Sequence, residues 1–428
     1  HSFEFIGDLK MNGRFDGSSQ SGDIMAESLL RLEDIEVRRG KGVVLSEFNL
    51  EVRAGDVLVL HGENGSGKST VIETCARLLS LENGRVFHHG KRVLDSEGRR
   101  TSPPEAFGLT LQKNGLVGDE TVENHLKTVC FLSEKSFDLT EILASYGLDH
   151  RRHDRIAQLS GGQMRKVAVL AGLLPALLTN EPRLILLDEP ATGLDEKALE
   201  SLVNHIGQLS TAGHGFIVAS HNSKILECAT RIHNLKTEKS NVPNTHEPWK
   251  STATQHSTSL LSARVGFRYL TSTQAAIARN GLTALLVLGT LMGFVDPSSI
   301  ENRGLLVGFV LAAPFAAGLA GDPVLYIMRE GRAVDWWRAQ VQRLPSSDVH
   351  SLTIGFVFTA IGCIVFLDGV DWRITALGTL MHWVTMNCVR FIELSTLRLV
   401  RPNAVFLRLL LPILILPWAL VTDFAAGL

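Results

Sequence analysis

Cysteine is scarce in this 428-residue chain, and its five copies (Cys75, Cys130, Cys228, Cys363 and Cys388) never fall at C-x-x-C spacing. That scarcity excludes a disulfide framework and a cysteine-built zinc site, and it suits thiols kept reduced. Surplus charge is missing too: 42 Lys+Arg against 44 Asp+Glu leave −2. Such a chain lacks the positive field of a general nucleic-acid binder, so no nucleic-acid partner is expected. Residues 1–28 hold no apolar core of signal-peptide length. They are polar, Gly/Ser-rich and begin with His, which reads as a disordered leader or as the point where the chain was cut. Met25 is an equally natural start. Lysine is absent after Lys250, whereas five of the six tryptophans lie beyond residue 330. The split predicts a water-soluble first part and a membrane second part.

What the first part does have is a glycine-rich stretch, His61–Thr70, between the apolar run 56–60 and a predicted helix from Thr70 to Leu79. Within Gly62-Glu63-Asn64-Gly65-Ser66-Gly67-Lys68-Ser69-Thr70 lies G-x-x-x-x-G-K-[ST]. Its glycines let backbone N–H groups form a nest around phosphate oxygens at a positive helix end. Lys68 can reach the outer phosphates and the Ser69 hydroxyl can ligate Mg²⁺. A nucleoside triphosphate is the expected ligand.

From Leu29 to Leu235 strands and helices alternate. Predicted strands are Arg31–Val37, Asp56–His61, Arg85–His89, Phe107–Leu111, Leu184–Asp188 and Gly215–Ser220. Predicted helices include Thr121–Leu132, Gln163–Leu178 and Glu196–Leu209. Apolar strands such as 184–187 suit a sheet covered on both faces, so residues 29–235 read as an α/β P-loop NTPase domain. Residues 236–260, with Pro243, Pro248 and several Ser/Thr, read as a polar linker.

Residues 261–428 then read as an all-α transmembrane domain. Five apolar segments follow one another: Gly281–Val295, Gly304–Gly321, Ser351–Leu367, Ile374–Leu394 and Ala404–Thr422. A bilayer core asks for about 20 apolar residues per helix. One such run could be a buried core helix, but five in succession predict spans. Arg264, Arg268 and Arg279 precede the first, Arg329, Arg332, Arg338 and Arg343 separate the second from the third, and Arg398 and Arg401 precede the fifth. The alternate loops carry only Arg303 and Arg373 beside four acids. Positive loops stay inside, which puts the NTPase domain on the cytoplasmic side of a multi-pass protein of the cytoplasmic membrane. Five is an odd number for a permease, so a sixth span beyond the end is expected.

Five more pieces fall at informative spacing downstream of the glycine-rich loop. Leu159-Ser160-Gly161-Gly162-Gln163 opens a helix and offers a second anion site. Leu184–Asp188 is an apolar strand ending in Asp188, fit to hold Mg²⁺ through water, and Glu189, fit to polarise the attacking water. Asp195 follows in Gly193-Leu194-Asp195, and His221 closes the strand 216–220. Gln112 ends the strand 107–111, within reach of metal and lytic water. Each alone reads equally as a helix cap, a strand-end acid or a surface histidine; in this order they read as one site.

With those residues in place, the set resembles the ATP-binding cassette of ABC transporters: Walker A at Gly62–Ser69, Q-loop Gln112, signature Leu159–Gln163, Walker B 184–188 with Glu189, D-loop Asp195 and switch His221. The resemblance implies that two cassettes sandwich two ATP molecules, with Ser160, Gly161 and Gly162 of one copy touching the γ-phosphate held by Lys68 of the other. A homodimer through cassettes and permease follows. Where such cassettes place an aromatic to stack on adenine, this chain has Arg39, whose guanidinium can also stack on a base.

The compact cassette, the 37–45 stretch VRRGKGVVL and Leu111–Leu116 are similar to the ATPase subunit of the bacterial cytochrome c maturation haem exporter. The order of the membrane half is similar to that system's permease, from Arg264-Val-Gly-Phe-Arg268 to the late 409–417 run LLLPILILP. That resemblance implies haem export or delivery, with other cytochrome c maturation proteins and membrane lipid as partners. Export of another substrate (lipid, peptide or drug) and a membrane-anchored mechanical-signalling ATPase are the rival readings. The loop Asp322–Asp348, with amphipathic Val334-Asp-Trp-Trp-Arg338, is expected to couple cassette to spans near Gln112, and Ala263–Asn280 to form an interfacial helix. His382 and Arg390 are ionisable groups inside the fourth span and so functional candidates; Arg390 is placed to snorkel.

Overall fold

The computed structural model of the chain describes residues 28–40, 42–234, 237–240, 246–255, 274–341, 344, 347–396 and 415–427. Residues 1–27 of the expected leader and residues 263–273 of the expected interfacial helix lie outside them. Two long strands open the chain, β1 (Ser28–Arg39) and β2 (Gly42–Arg53). They pair antiparallel, Leu32 opposite Leu50 and Ile35 opposite Phe48, across register shifts. The shifts explain why β2 has no counterpart among the predicted strands: bulges break its period-2 alternation. Asp34 and Glu47 take left-handed φ there, and the Asn49 side-chain oxygen accepts from the Asp34 N–H at 2.9 Å. Strands β4 (Asn83–His88) and β5 (Lys91–Asp95) complete a four-stranded sheet in the order β2-β1-β4-β5.

The second sheet carries the chemistry. Strands β3 (Val57–His61), β6 (Gly108–Thr110), β8 (Leu184–Asp188), β9 (Gly215–Ala219), β10 (Arg231–Asn234) and β11 (Thr237–Ser240) run in the order β11-β10-β3-β9-β8-β6. All neighbours are parallel except β10–β11. Every residue of β8 and β9 is buried, as their unbroken apolar runs require. Helices α1 (Lys68–Cys75), α2 (Val122–Leu132), α3 (Thr140–Ser145), α4 (Gly161–Leu177), α5 (Glu196–Thr211) and α6 (Ser223–Glu227) cover it. Helix α4 presses onto β6 through two glycines: a Cβ on Gly108 would stand 1.9 Å from the Gly172 carbonyl oxygen.

The stretch 236–260, expected as linker, behaves otherwise where it is described. Residues 237–240 extend the sheet as β11. Trp249 donates from Nε1 to the Leu177 carbonyl at 3.1 Å, and β12 (Thr254–Gln255) pairs with β7 (Lys135–Ser136). Prolines and hydroxyls hide these elements from a periodicity argument, because backbone pairing and one tryptophan anchor carry them.

Two buried histidines make the cassette acid-sensitive. Burial pushes His88 down to about 3 and His214 down to about 4, the latter helped by the Arg183 charge. His214 Nδ1 accepts the Arg183 N–H at 3.1 Å, a role that protonation abolishes. Both folded values lie below the ordinary 6.5, so the folded state binds fewer protons than the unfolded one. The stability they contribute is complete above pH 6.5 and falls with pH below it, by about 3 kcal/mol per pH unit for the pair. Calorimetric melting should therefore drop by several degrees from pH 6.5 to pH 5; a flat midpoint over that interval would refute the two histidines' role.

In the second half every described element is a helix. Helix α7 (Gln274–Phe294), α8 (Arg303–Leu319) continued by α9 (Pro323–Met328), α10 (Ala333–Gln340), α11 (Asp348–Phe366), α12 (Trp372–Thr396) and α13 (Ile415–Ala426) follow in order. Among the described residues three helices are long and apolar enough to cross a membrane: Gln274–Phe294, Arg303–Met328 and Asp348–Phe366, of 21, 26 and 19 residues. The expected fourth segment is a 25-residue helix that is not one of those three; Arg373, Arg390 and Glu393 interrupt its apolar character. The expected fifth lies partly outside the described residues. Arg390 does not snorkel: its Nη1 stands 3.0 Å from Oδ2 of fully buried Asp322, which also accepts from Ser347 at 2.8 Å. The expectation assumed open headgroup water within reach, and the acid at the head of α9 supplies a partner instead.

Candidate nucleotide site and its membrane-side contact

Strand β3 delivers the chain to the loop 62–67, where Gly62, Gly65 and Gly67 have φ of 148°, 84° and 104°. Side chains are strained at such angles, so the glycines permit the nest that phosphate needs. Helix α1 starts at Lys68, two residues earlier than expected and directly on the nest. The Lys68 ammonium donates to the Gly62 and Glu63 carbonyls at 2.6 and 3.0 Å. The Ser66 hydroxyl is buried without a protein partner.

Asp188 at the end of β8 accepts from the Ser69 hydroxyl at 3.1 Å. Burial pushes its carboxyl up to about 6 against the opposing pull of Ser69 and Arg165. Glu189 follows in a left-handed conformation, φ 50°, its N–H tied to the Ala219 carbonyl at 2.9 Å. His221 Nε2 stands 3.7 Å from Glu189 Oε1. These groups share a cleft of about 580 Å³ whose walls include Arg39, Asn64, Gly65, Gly67, Lys68, Ser69, Thr70, Gln112, Glu189 and His221. Gly62, Glu63 and Ser66 complete its floor loop.

The other named residues form a separate face. Ser160 caps α4, accepting from Gln163 N at 3.3 Å while Gln163 Oε1 accepts from Ser160 N at 3.0 Å. A Cβ on Gly162 would stand 2.7 Å from the Gly193 carbonyl oxygen, which seats this turn on the one carrying Asp195. Asp195 caps α5 through Ala198 N at 2.9 Å and pairs with Lys166 at 2.6 Å. Ser160 and Gly161 are exposed and are not among the residues lining the cleft.

The donor set suits a hard cation: a hydroxyl beside a buried carboxylate, with the Gln112 amide on the same cleft. Ser69 and Asp188 would hold Mg²⁺, and burial of Asp188 makes a cation there favourable. Bound there, the ion would neutralise charge on phosphate oxygens. Among the described residues no cluster of three or more His, Cys, Asp or Glu forms a metal cage, including around buried His382.

Two residues escaped sequence reasoning. Arg165 on α4 donates to the Leu111 and Glu189 carbonyls at 2.8 and 2.7 Å and to the Asp188 carbonyl. It thereby fixes the Gln112 strand end against the Asp188–Glu189 end. Burial lowers it to about 10, with both carboxylates opposing the shift. Glu73 on α1 is 3% exposed and pairs with Arg39 and Arg332. The sequence even hides it, because Arg77 at i+4 offers a local partner, whereas in the structure Arg77 bonds elsewhere.

Arg332 introduces the contact from the membrane half. Helix α10 lies in a groove of the cassette, with Trp336 and Trp337 2% and 3% exposed and part of its core. Trp336 Nε1 donates to the Leu109 carbonyl at 3.2 Å and Gln340 to Phe107 at 3.1 Å. Arg77 donates to the Ala339 carbonyl at 2.6 Å, and Gly115 N to Gly331 at 2.8 Å. Gly115 must be glycine, because a Cβ would stand 2.9 Å from that of Trp336.

Comparison with known proteins agrees with this geometry. The sequence model of the family described as ABC transporter matches residues 45–192. A macrolide export ATP-binding/permease protein of Vibrio parahaemolyticus is 30% identical over 223 residues, half of this chain and 33% of the relative. Its namesake from Pectobacterium atrosepticum is 28% identical over 349 residues, 77% of this chain and 53% of the relative. The chain thus spans a third to about half the length of these curated relatives. A solved ATP-binding subunit of an ABC transporter is 24% identical, covering 50% of this chain and 90% of its own, at TM-score 0.44. The dimeric structure of the bacterial cassette MJ0796 is 22% identical, covering 49% and 98%, at TM-score 0.43. The N-terminal part is an ABC-type ATPase cassette of the P-loop fold, fused to a helical region with three candidate membrane helices among its described residues. Both curated relatives are named for macrolide export, so the narrower haem-exporter resemblance gains no support from them.

Proposed function

We propose that the chain is one half of an ATP-driven transporter of the cytoplasmic membrane, working as a homodimer with its cassette on the cytoplasmic side. The observation that carries this reading is the seating of α10 against the Phe107–Leu109 strand and the Gly115 turn, next to Gln112. Hydrolysis that moves Gln112 would pull on a short helix that the chain joins to the span before it (ending at Met328) and the span after it (starting at Asp348). In the cleft, Lys68 and the loop N–H groups would hold the phosphates. Glu189 would orient and deprotonate water, and His221 would keep that carboxylate in place. Ser160, Gly161, Gly162 and Gln163, which do not line the cleft, would serve a second copy, with Asp195 at the seam.

The cargo is proposed to be a drug-like amphipathic molecule of the macrolide kind, as the names of the relatives support. Haem delivery, with cytochrome c maturation proteins as partners, is the second reading and rests on the Arg39 cassette and the order of the membrane half. Reconstitution in lipid vesicles separates them: ATP-dependent accumulation of erythromycin against that of haemin should favour the macrolide. Movement of neither, with ATPase retained, would sink the transport reading in favour of mechanical signalling.

A further inference from the structure

Arg39 is the wall between two cavities. On one side lies the nucleotide cleft; on the other a space of about 540 Å³ bounded by Glu73, Leu79, Arg329, Arg332 and Asp335. In that wall the Glu73 carboxylate takes Arg39 Nη2 on one oxygen and Arg332 Nη1 on the other. Arg332 in turn gives its Nε to Asp335 at 2.7 Å. The four charges alternate in sign along a chain from the cleft to the loop between α9 and α10. Glu73 is buried, whereas Arg39 is 45% exposed in its side chain.

Guanidinium N–H bonds lie in the plane of the group. A carboxylate on the Nη2 edge therefore fixes that plane while leaving its faces open, and a face is what a base stacks upon. Resting on the cleft assignment above, we infer that Glu73 is a positioning residue that orients the Arg39 guanidinium for the nucleotide base, and that Arg332 from the membrane half sets Glu73. Base affinity is then linked to the seating of the α10 loop by a route separate from Gln112. By thermodynamic linkage the coupling runs both ways: a loop lifted from the cassette weakens ATP, and bound ATP holds the loop down.

The test uses the full chain in nanodiscs and compares binding of MgATP with that of Mg-tripolyphosphate, which has no base. Glu73→Gln should weaken ATP about fivefold to tenfold and leave tripolyphosphate unchanged, with KM raised and kcat at saturation retained. Arg332→Ala should act in the same direction. In an Arg39→Tyr background, where the ring stacks without help, Glu73→Gln should have no effect on ATP. A merely structural role for Glu73 on α1 would disturb Lys68 and weaken both ligands equally, which would overturn the inference, as would an unchanged ATP affinity. If the unsubstituted chain bound neither ligand, the cleft assignment would fall and this inference with it.

Discussion

Glu189→Gln is expected to lower ATP turnover by about 10²- to 10⁴-fold, the usual contribution of a positioned base, while ATP stays bound. The amide keeps the shape of the side chain and its left-handed backbone, which the Ala219 carbonyl and the Arg165 guanidinium hold from both sides. It loses the carboxylate charge and basicity that take a proton from water. Since Lys68, Ser69 and Asp188 are untouched, nucleotide affinity should be retained, and paired cassettes should accumulate in the ATP-bound state. Size-exclusion chromatography with and without ATP reads the pairing, and phosphate release reads the turnover. Turnover within a factor of about three of the unsubstituted protein would exclude Glu189 as the base.

The same geometry shows how much of this site was open to sequence reasoning. Gly62–Thr70, Asp188, Glu189 and His221 are local: each sits at the C-terminal end of a strand or on the turn after it. Apolar runs with polar ends identify such places without knowledge of the fold. Gln112 belongs to the same class. Glu73 and Arg165 do not, because their partners lie 34 to 259 and 23 to 54 residues away. A buried charge on a helix gives no sign of which distant group neutralises it. Strand β2 and the 237–255 stretch were hidden for a different reason. Bulges disrupt alternation in the first, and in the second the backbone makes the contacts. In the membrane half, hydropathy located the segments but not their extents, since the first helix starts at Gln274 and the second passes Gly321 and Asp322 to Met328. A glycine at φ 84° looks like an end in sequence, whereas the aspartate after it caps the next turn at 2.9 Å and lets the chain go on.

Trp336→Ala should uncouple the two halves. The indole is 2% exposed, contacts Trp337 edge-on with centroids 5.5 Å apart, and has the His125 ring at 5.7 Å. Truncating a buried tryptophan costs about 3–5 kcal/mol. Here the loss falls on the docking of α10 rather than on the cassette sheet, because the residue belongs to the loop that enters from outside. The cassette should still fold and hydrolyse saturating ATP at a rate within about threefold of normal, since Trp336 is not among the residues lining the 580 Å³ cleft. Vesicle transport, however, should fall by at least about tenfold, and protease cleavage within 329–341 should become rapid. Trp336→Phe supplies the control: it keeps most of the packing and removes only the bond to Leu109, a loss of about 1 kcal/mol, so transport should persist. If Trp336→Ala left transport intact, the groove would be a static anchor. The coupling would then have to run through the Arg332–Glu73 contact, which the Arg332→Ala measurement reads independently.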